Sequence, residues 1–387
     1  MLAWARVRVL IDYRPALRQP TGVGEYAHQL ATALVPRLAP DGKVVLFSSS
    51  WKDRLRQSAV PGAAIVDRRI PVSVLNLAWH RLEWPPAEWL AGPIDVAHSM
   101  HPLRIPARTA AQVVTIHDLF FLDSPERTSG EIRRDYPGLA ATHAQAADAV
   151  IVVSEHSARE VMSRLNVPRE RITVCSPGAP AWNQGSRFNV QDSGFRVHGP
   201  KPGPILFVGT IEPRKNVPTL IAAYRRLLSR VPAAPDLILA GRAHQEAAAV
   251  LGELAAPPLA GRARHLGYVT DHQREQLYRD ASMVVLPSFE EGFGMPALEA
   301  MTIGVPVIAS NRGALPEVVG DAGLLVDAED IGGFANAMER LLQDQTLSSR
   351  CVELGIERAR RFSWTASAEA LLQAYGRALQ RRAGRAS

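Results

Sequence analysis

The stretch SFEEGFGMPALEAM, from Ser288 to Met301, places Glu291 and Glu299 eight positions apart on either side of a glycine-rich turn. Pro296 follows the turn and fits the first position of a helix, where the N–H that proline lacks has no intrahelical partner. The first backbone amides of a helix are available to bind an anion. The stretch therefore predicts a turn and a helix N-terminus that face a phosphate group.

The glycines and acids of this turn indicate which chemical groups are attached to the bound anion. Gly292 and Gly294 have no side chains, so a diphosphate can approach the backbone closely. Glu299, expected in the first helical turn, is near enough to accept hydrogen bonds from ribose hydroxyls, and Glu291 stands where a sugar would lie. The alternative, a capped helix with two solvent-facing glutamates, fits less well because buried strands flank the turn. The pattern favours a nucleotide sugar as the ligand.

Short apolar runs alternate with helical segments on both sides of this turn, as in parallel sheets buried on both faces. The candidate strands in the first half of the chain are Val7–Ile11, Val44–Phe47, Ile94–His98, Val113–Ile116 and Ala149–Val153. In the second half they are Ile205–Val208, Leu237–Ala240, Met283–Leu286, Val305–Ala309 and Leu324–Val326. The helices predicted between them include Gly24–Leu38 and Ala78–Leu90.

A stretch rich in Gly, Pro and Asn, Trp182 to Pro204, separates the two series of strands. The predicted fold class is α/β, with two doubly wound Rossmann-like domains that face each other across a cleft. The first domain is predicted to cover residues 1–185, the linker 186–203 and the second domain 204–362. An amphipathic helix within 363–387 is expected to return to the first domain.

The segment TGVGEYA, Thr21 to Ala27, follows the first strand and matches a dinucleotide-binding fingerprint. Gly22 and Gly24 would let the backbone approach a phosphate, although a tight turn needs glycine in any case. An NAD site should also have an acid after the second strand, to hold the ribose. That strand ends in Ser48–Ser50 instead, which counts against an NAD-dependent oxidoreductase.

The segment FVGTIEPRKN, Phe207 to Asn216, opens the second series. Arg214 and Lys215 lie at the mouth of the next predicted helix, beyond the carboxyl end of a parallel strand. Ligands bind at this edge in doubly wound sheets. A solvated helix start is the alternative for an isolated Arg–Lys pair. The position favours two cations that neutralise a leaving diphosphate.

Composition limits the remaining classes. The chain has 387 residues, 47% hydrophobic, and two cysteines, so a reducing cytoplasm is the default. The net charge is +6, and residues 1–200 hold 23 Lys and Arg against 18 Asp and Glu. A basic half could attract nucleic acid, but the acid-bounded turn would then have no role. The spacing of His98 and His101 suggests no metal site, because no further ligand is near in sequence.

These motifs resemble a known family. EGFGMPALEAMTIGVPVIAS, GTIEPRKN and GALPEVVGDAGLLV look like the second domain of the retaining GT-B glycosyltransferases of family four, with Glu291 and Glu299 as the E-x7-E pair. TGVGEY, DVAHSMHP, VVTIHDLFFLDSPE and ADAVIVVSEHSARE resemble its first domain. The resemblance runs from about Val9 to Tyr375. It implies an acceptor-binding first domain and a second domain that binds the nucleotide sugar.

The resemblance also implies residue roles. His117 would lie near the donor sugar, Glu291 would contact sugar hydroxyls and Lys215 would bind the diphosphate. These three are the implied catalytic residues. The implied donor-binding residues are Gly22, Gly24, Arg214, Lys215, Val269, Asp271, Glu291, Gly292, Phe293, Gly294, Met295 and Glu299. Thr210 stands where many members have arginine, so either Arg214 replaces that charge or the leaving group has one cation fewer.

The family further implies the reaction. A hexose moves from a nucleotide diphosphate sugar to a hydroxyl, with retention and without a metal or cofactor. The GTIEPRKN variant resembles mannosyltransferases that use GDP-mannose. The expected acceptor is a glycan or lipid-linked glycan of cell-envelope polysaccharide or lipopolysaccharide. No Asp-x-Asp motif is present in the sequence.

Two segments raise the question of a peripheral membrane contact. NLAWHRLEWPPAEWL, Asn76 to Leu90, carries Trp79, Trp84 and Trp89, which would suit a membrane surface. Aromatic residues on a helix more often pack in a core. For the basic tail GRALQRRAGR, a frayed terminus is expected rather than a membrane anchor.

Overall fold

A computed structural model describes residues 6–17, 22–123, 130–182, 203–244 and 247–386, without the side chains of 130–132 and 386. The chain divides into two compact units. The first unit comprises Met1–Gly178 and Ser363–Ser387, and the second comprises Ala179–Phe362. The predicted linker, 186–203, lies outside the described residues except for Gly203.

The described residues of the first unit form a seven-stranded parallel sheet with the strand order β3-β2-β1-β4-β5-β6-β7. Its elements to β4 are β1 Arg8–Asp12, α1 Gly22–Leu38, β2 Lys43–Ser49, β3 Ala64–Arg68, α2 Val72–Leu82, α3 Ala87–Ala91 and β4 Val96–Ser99. The following elements are β5 Ala111–Ile116, α4 Phe120–Asp123, α5 Gly130–Ala146, β6 Ala149–Val152, α6 Glu155–Leu165 and β7 Ile172–Val174.

The second unit has a six-stranded parallel sheet, within its described residues, in the order β10-β9-β8-β11-β12-β13. Its elements to β11 are β8 Ile205–Val208, α7 Val217–Arg230, β9 Leu237–Ala240, α8 Ala248–Gly252, β10 Ala263–His265, α9 Asp271–Asp280 and β11 Met283–Leu286. The remaining elements are α10 Met295–Thr302, β12 Val307–Ser310, α11 Leu315–Val319, β13 Leu324–Val326, α12 Ile331–Gln343 and α13 Gln345–Ala359. The last helix, α14 Trp364–Ala386, belongs to the first unit.

Each sheet reverses its strand order once, and these reversals locate the candidate sites. In the first unit the chain runs outward from β1 in one direction and from β4 in the other. In the second unit β8 and β11 play the same parts. Doubly wound sheets bind ligands beyond the carboxyl ends of the two strands at such a switch point. The predicted α/β class of two doubly wound domains is confirmed.

The helix α14 closes one face of the first sheet through a buried polar contact. The hydroxyls of Tyr375 and Thr115 each lie 2.7 Å from a ring nitrogen of His98, on β4. Burial lowers the pKa of His98 to about 3, so the ring is neutral. His98 is therefore a core residue. The basic tail is helical, which corrects the expected frayed terminus; the Arg381 guanidinium donates hydrogen bonds to the Asp148 and Glu170 carbonyls.

Three sequence-based predictions of secondary structure were wrong in detail. The predicted helix Ala78–Leu90 is two helices, because Glu83 adopts a left-handed conformation at the end of α2 and the two prolines after Trp84 cannot continue it. The helix α1 starts at Gly22, so the glycines of TGVGEYA lie inside its first turn. The edge strands β3, β7 and β10 were missed, because they are partly exposed and do not form continuous apolar runs. No described helix has the length and apolar character of a membrane span.

We expect Tyr375→Phe to destabilise the first unit by about 1–3 kcal/mol, because it leaves a buried ring nitrogen of His98 without its partner. Tyr268→Phe, at a half-exposed tyrosine of the second unit, is the matched control and should change stability by less than about 0.5 kcal/mol. Hydrogen exchange of the β4 and β5 amides measures the effect. Equal protection in both variants would contradict the proposed anchoring of α14.

Candidate active site

The site in the second unit is built from the loops that follow β8 and β11, the two strands at the switch point. The first loop passes through a short 3-10 turn, Pro213–Lys215. Asn216 ends that turn in a left-handed conformation, and its side-chain amide donates to the carbonyls of Pro287 and Ala328. The Phe289 amide donates to the Arg214 carbonyl at 2.8 Å. These bonds join the loops, so Lys215 and Glu291 meet although they are far apart in sequence.

A buried ion pair is the centre of this site. The Lys215 ammonium lies 2.6 Å and 2.8 Å from the two carboxylate oxygens of Glu291. The Ser288 hydroxyl donates to Glu291 Oε1 at 2.7 Å, and Arg214 Nη1 lies 3.6 Å from Oε2. Sequence reasoning assigned Glu291 to the sugar and Lys215 to the diphosphate, and did not predict that the two side chains pair.

The pair sets the charge state of Glu291. Burial by itself would raise the pKa of the carboxyl, but the charges of Lys215 and Arg214 outweigh it and hold the pKa below its usual range. Burial lowers the pKa of Lys215, while the Glu291 charge opposes this shift. An ionised carboxylate only accepts hydrogen bonds. Glu291 is therefore suited to accept hydrogen bonds from hydroxyl groups and is not a proton donor at neutral pH.

The glycine-rich turn leads into α10, as the sequence suggested, with one shift of register. Gly294 has φ +101° at the helix N-cap, and a Cβ there would come within 2.7 Å of Leu315. Only glycine tolerates both the positive φ and the close approach of Leu315. The helix starts at Met295, so Pro296 takes its second position. Gly292 and Phe293 are buried within the same turn. The N-terminal amides of an eight-residue helix thus lie directly after Glu291.

Glu299 is the fifth residue of α10, in its second turn and not in the first as expected. The carboxylate is 2% exposed and held from two sides. The Tyr278 hydroxyl donates to Oε2 at 2.7 Å, and Arg274 Nη1 lies 3.4 Å from Oε1. The Arg274 guanidinium also covers the Trp182 ring at 5.6 Å. These three residues were not predicted from the sequence, because nothing close to them in sequence marks a contact with Glu299.

The two residues predicted near the base lie at the start of α9. Val269 precedes the helix and is half-buried. Asp271 is the first helical residue, and its carboxylate lies 3.4 Å from Arg274 Nη2. Arg274 thus lies between Asp271, which was predicted to contact the base, and Glu299, which was predicted to contact the ribose.

Arg214 does not simply replace the missing arginine at position 210. Its guanidinium donates two hydrogen bonds to Glu212 Oε1, at 2.8 Å and 3.1 Å. One positive charge of the loop is therefore already balanced by Glu212, and Arg214 would contribute less to binding a diphosphate than a cation without an acidic partner.

The first unit carries the remaining predicted residues. Gly22 is exposed at the start of α1, and a Cβ there would meet nothing within 4 Å. Gly24 is buried, and a Cβ would come within 2.5 Å of the Pro15 carbonyl oxygen. Gly24 therefore has a packing role against the turn after β1, while the Gly22 backbone is accessible to a ligand.

His117 follows the carboxyl end of β5. Its Nε2 is buried and has no hydrogen-bond partner among the described residues, while the ring bonds the Met100 backbone. The ring packs edge-on against Tyr26, with centroids 5.1 Å apart. Burial lowers the pKa of His117 to about 4. The imidazole is therefore neutral at pH 7.

A charged cluster at the switch point of the first unit was not predicted from the sequence. Asp12, at the end of β1, receives two hydrogen bonds from Arg14, at 2.6 Å and 2.8 Å, and lies 3.4 Å from His101 Nε2. Burial would raise the pKa of Asp12, but Arg14 and His101 hold it well below its usual value. The signal was present as DYR directly after the first strand. Among the described residues, no group of three His, Cys, Asp or Glu is placed to bind a metal ion.

Both units are Rossmann-like, and the second places a glycine-rich turn and a helix N-terminus between two buried carboxylates, which is the arrangement of GT-B glycosyltransferases. A family model described as Glycosyltransferase Family 4 matches residues 20–181, and one described as Glycosyl transferases group 1 matches residues 203–344. The chain belongs to this glycosyltransferase family.

Two relatives and one solved structure illustrate the family. O-antigen chain mannosyltransferase B of Escherichia coli is 33% identical over 70% of this chain and 71% of its own length. D-inositol 3-phosphate glycosyltransferase of Corynebacterium glutamicum is 30% identical over 75% of this chain and 71% of its own length. Sucrose-phosphate synthase from Thermosynechococcus elongatus has a TM-score of 0.73 at 22% identity, with 99% of this chain and 100% of that chain covered. The last likeness establishes the fold alone.

We expect Lys215→Met to destabilise the second unit by about 3–5 kcal/mol, because the buried Glu291 charge loses its partner. Replacing both residues by methionine should recover most of this loss, since no unpaired charge then remains. Denaturant unfolding followed in the second unit measures both variants. A double variant as unstable as the single one would refute the assignment of the cost to the unpaired charge.

Proposed function

We propose that the chain transfers a mannosyl group from GDP-mannose to a hydroxyl of a glycan or lipid-linked acceptor, with retention and without a metal ion. The observation that carries the proposal is the turn at the switch point of the second unit, where the N-terminus of α10 lies between the buried carboxylates of Glu291 and Glu299. An anion site has a carboxylate on each side that can accept hydrogen bonds from hydroxyl groups. This arrangement matches a sugar, a diphosphate and a ribose in that order.

The choice of mannose and of GDP rests on resemblance. The sequence variant GTIEPRKN favours it, and the mannosyltransferase of Escherichia coli is among the relatives. The relative that acts on D-inositol 3-phosphate keeps a small phosphorylated acceptor as a second candidate. Because the relatives include both kinds of acceptor, the experiments below test the donor site.

The residues suit a reaction in which the leaving group carries most of the charge. The bond between the anomeric carbon and the phosphate oxygen breaks, and the diphosphate takes the electron pair. Lys215, Arg214 and the α10 amides would stabilise that charge. The acceptor oxygen attacks on the same face, and its proton passes to the departing phosphate. Glu291, held by Lys215 and Ser288, would orient sugar hydroxyls and is not needed as a nucleophile.

His117 would act in the same reaction as a neutral hydrogen-bonding group. Its pKa of about 4 excludes a standing positive charge at neutral pH. Its Nε2, which has no partner among the described residues, would be available to one sugar or acceptor hydroxyl, as the family resemblance implies. We further propose that the protein works in the cytoplasm in cell-envelope polysaccharide synthesis, with a peripheral contact to the membrane, and that it does not bind nucleic acid.

A thermal-shift panel of GDP, UDP, dTDP, ADP and NAD, each with and without magnesium, tests the donor site. We expect GDP at about 100 times its dissociation constant to add roughly 2.7 kcal/mol to stability. The shift should not depend on magnesium, should vanish in Glu299→Ala and should persist in Glu357→Ala, a matched change at an exposed glutamate of α13. A shift with UDP alone would show that the site prefers UDP and would reject GDP-mannose as the donor. A shift with NAD alone would reject the transferase site.

The contacts of Glu299 predict a ribose-specific defect. Arg274→Met and Tyr278→Phe should each weaken GDP binding about tenfold, because Glu299 loses one of the groups that orient it. Binding of 2′,3′-dideoxy-GDP, which lacks both ribose hydroxyls, should be weak in the unaltered protein and unchanged in the variants. Arg225→Met, at an arginine of α7 paired with Glu253, serves as the control. Calorimetric titration measures both ligands. Equal losses for both would indicate general damage and contradict the ribose assignment.

A further inference from the structure

The chain passes from the second unit back into the first between Phe362 and Ser363. This return segment, residues 362–364, carries an aromatic ring at each end, and both rings are half-buried. Ser363 caps α14, because its hydroxyl accepts a hydrogen bond from the Ala366 amide at 3.1 Å. The cap fixes where α14 begins, and with it the position of Trp364, the first residue of that helix.

In the first unit, Trp364 packs against Tyr26. The two ring centroids are 5.7 Å apart, and the ring planes meet at 61°. Tyr26 is 1% exposed, and its hydroxyl donates to the Cys175 carbonyl at 2.9 Å. The hydrogen bond fixes the hydroxyl end of Tyr26, and the indole of Trp364 restricts the rest of the ring.

Tyr26 in turn packs against His117, the candidate catalytic residue of the first unit. The two rings are perpendicular, with centroids 5.1 Å apart. The backbone of His117 is held, since the Ser157 hydroxyl donates to its carbonyl at 3.1 Å. The imidazole bonds the Met100 backbone, but its Nε2 has no partner among the described residues. An imidazole with one bonded nitrogen depends on packing for its orientation, so Trp364 acts on His117 through Tyr26.

The place of Trp364 also depends on a glycine. A Cβ at position 178 would come within 2.6 Å of Trp364 Cγ and 2.7 Å of its Cδ1. These distances are far below van der Waals contact, so Gly178→Ala would displace the indole without changing its chemistry. The Ser367 hydroxyl of α14 donates to the Ser176 carbonyl beside this glycine. Gly178 therefore offers a second way to disturb Trp364.

In the second unit, Phe362 packs against Phe293, with ring centroids 5.4 Å apart and planes at 84°. Phe293 is 5% exposed and directly precedes Gly294, the N-cap of α10. The Phe362 amide donates to the Ala359 carbonyl at 3.1 Å, and its carbonyl accepts from the Ala179 amide at 3.0 Å. Because its backbone is held from both sides, Phe362 supports a glycine-rich turn that has few side chains of its own.

We propose that Phe362 and Trp364 are positioning residues of the transfer reaction. Trp364 fixes the orientation of His117 through Tyr26, and Phe362 fixes the amides at the N-terminus of α10 through Phe293. Both act through other residues and contact no substrate. A site that is ordered before its substrate arrives loses less free energy on binding. The inference rests on the proposed function, because it takes His117 and the α10 amides as the groups that face the reactants.

NMR titration of the His117 imidazole in the full chain tests the first contact. Burial lowers the pKa of this ring to about 4; the Asp118 charge raises it and His101 lowers it further. Trp364→Ala and Gly178→Ala should each raise the pKa above about 5, because water then reaches the ring. Trp364→Phe, which keeps a ring, should restore a value close to the original. In Trp364→Ala, kcat should fall about tenfold while the donor KM stays unchanged.

Hydrogen exchange at the amides of residues 292–297 and calorimetric titration with GDP test the second contact. Phe362→Ala should speed this exchange and weaken GDP binding about fivefold, and Phe362→Leu should restore most of the loss. The two alanine variants are matched controls for each other. Phe362→Ala should leave the His117 titration unchanged, and Trp364→Ala should leave GDP affinity unchanged. Trp51→Ala, at a tryptophan that is 69% exposed, should change neither.

An unchanged His117 titration in both Trp364→Ala and Gly178→Ala would overturn the role of Trp364, even if both variants were less stable. Unchanged exchange and GDP affinity in Phe362→Ala would overturn the role of Phe362. A change of both readouts in either variant would indicate general damage and contradict the separate roles. The NMR and exchange measurements need no substrate, so they decide both contacts in any case. Failure of the unaltered protein to bind GDP would bear on the proposed function alone.

Discussion

The buried pair of Lys215 and Glu291 is the interaction on which the second unit's site depends. It joins the loops after β8 and β11, which adjacent strands bring together across the switch point. Each charge is costly to bury alone, and each is tolerable only because the other is present. The pair therefore fixes the shape of the loops that lead into α10 and keeps a carboxylate ionised inside the protein.

The same constraint repeats elsewhere with different partners. Glu299 is held by Tyr278 and Arg274, and Asp12 by Arg14 and His101. In every case a buried acid at the carboxyl edge of a sheet has a donor from a neighbouring loop or helix. Such acids are rigid hydrogen-bond acceptors, which suits the recognition of hydroxyl-rich ligands, because little side-chain entropy is lost on binding.

The sequence predicted the central strands well and the contacts of the site poorly. Strands Ile205–Val208 and Met283–Leu286 were located at their observed bounds, since strands buried on both faces are continuous apolar runs. The edge strand Ala263–His265 carries an exposed arginine and was missed. Glu291 and Glu299 could be predicted because glycines and a proline lie close to them in sequence. Tyr278 and Arg274 lie on a helix without such a motif, and their partner Glu299 is distant in sequence. Local chemistry is visible in sequence, but which side chains meet depends on strand order and helix packing.

Two histidines of the first unit have similar pKa values but differ in their hydrogen bonds. His98 and His117 are both neutral because burial lowers their pKa values, yet the ring of His98 is bonded on both sides and that of His117 retains a free nitrogen. Both ring nitrogens of His98 are used in contacts within the core, whereas one ring nitrogen of His117 forms no hydrogen bond with the described protein groups. Since His117 supplies no positive charge, the proposed stabilisation of a leaving diphosphate would rest on the cations Lys215 and Arg214 and on the backbone amides of α10.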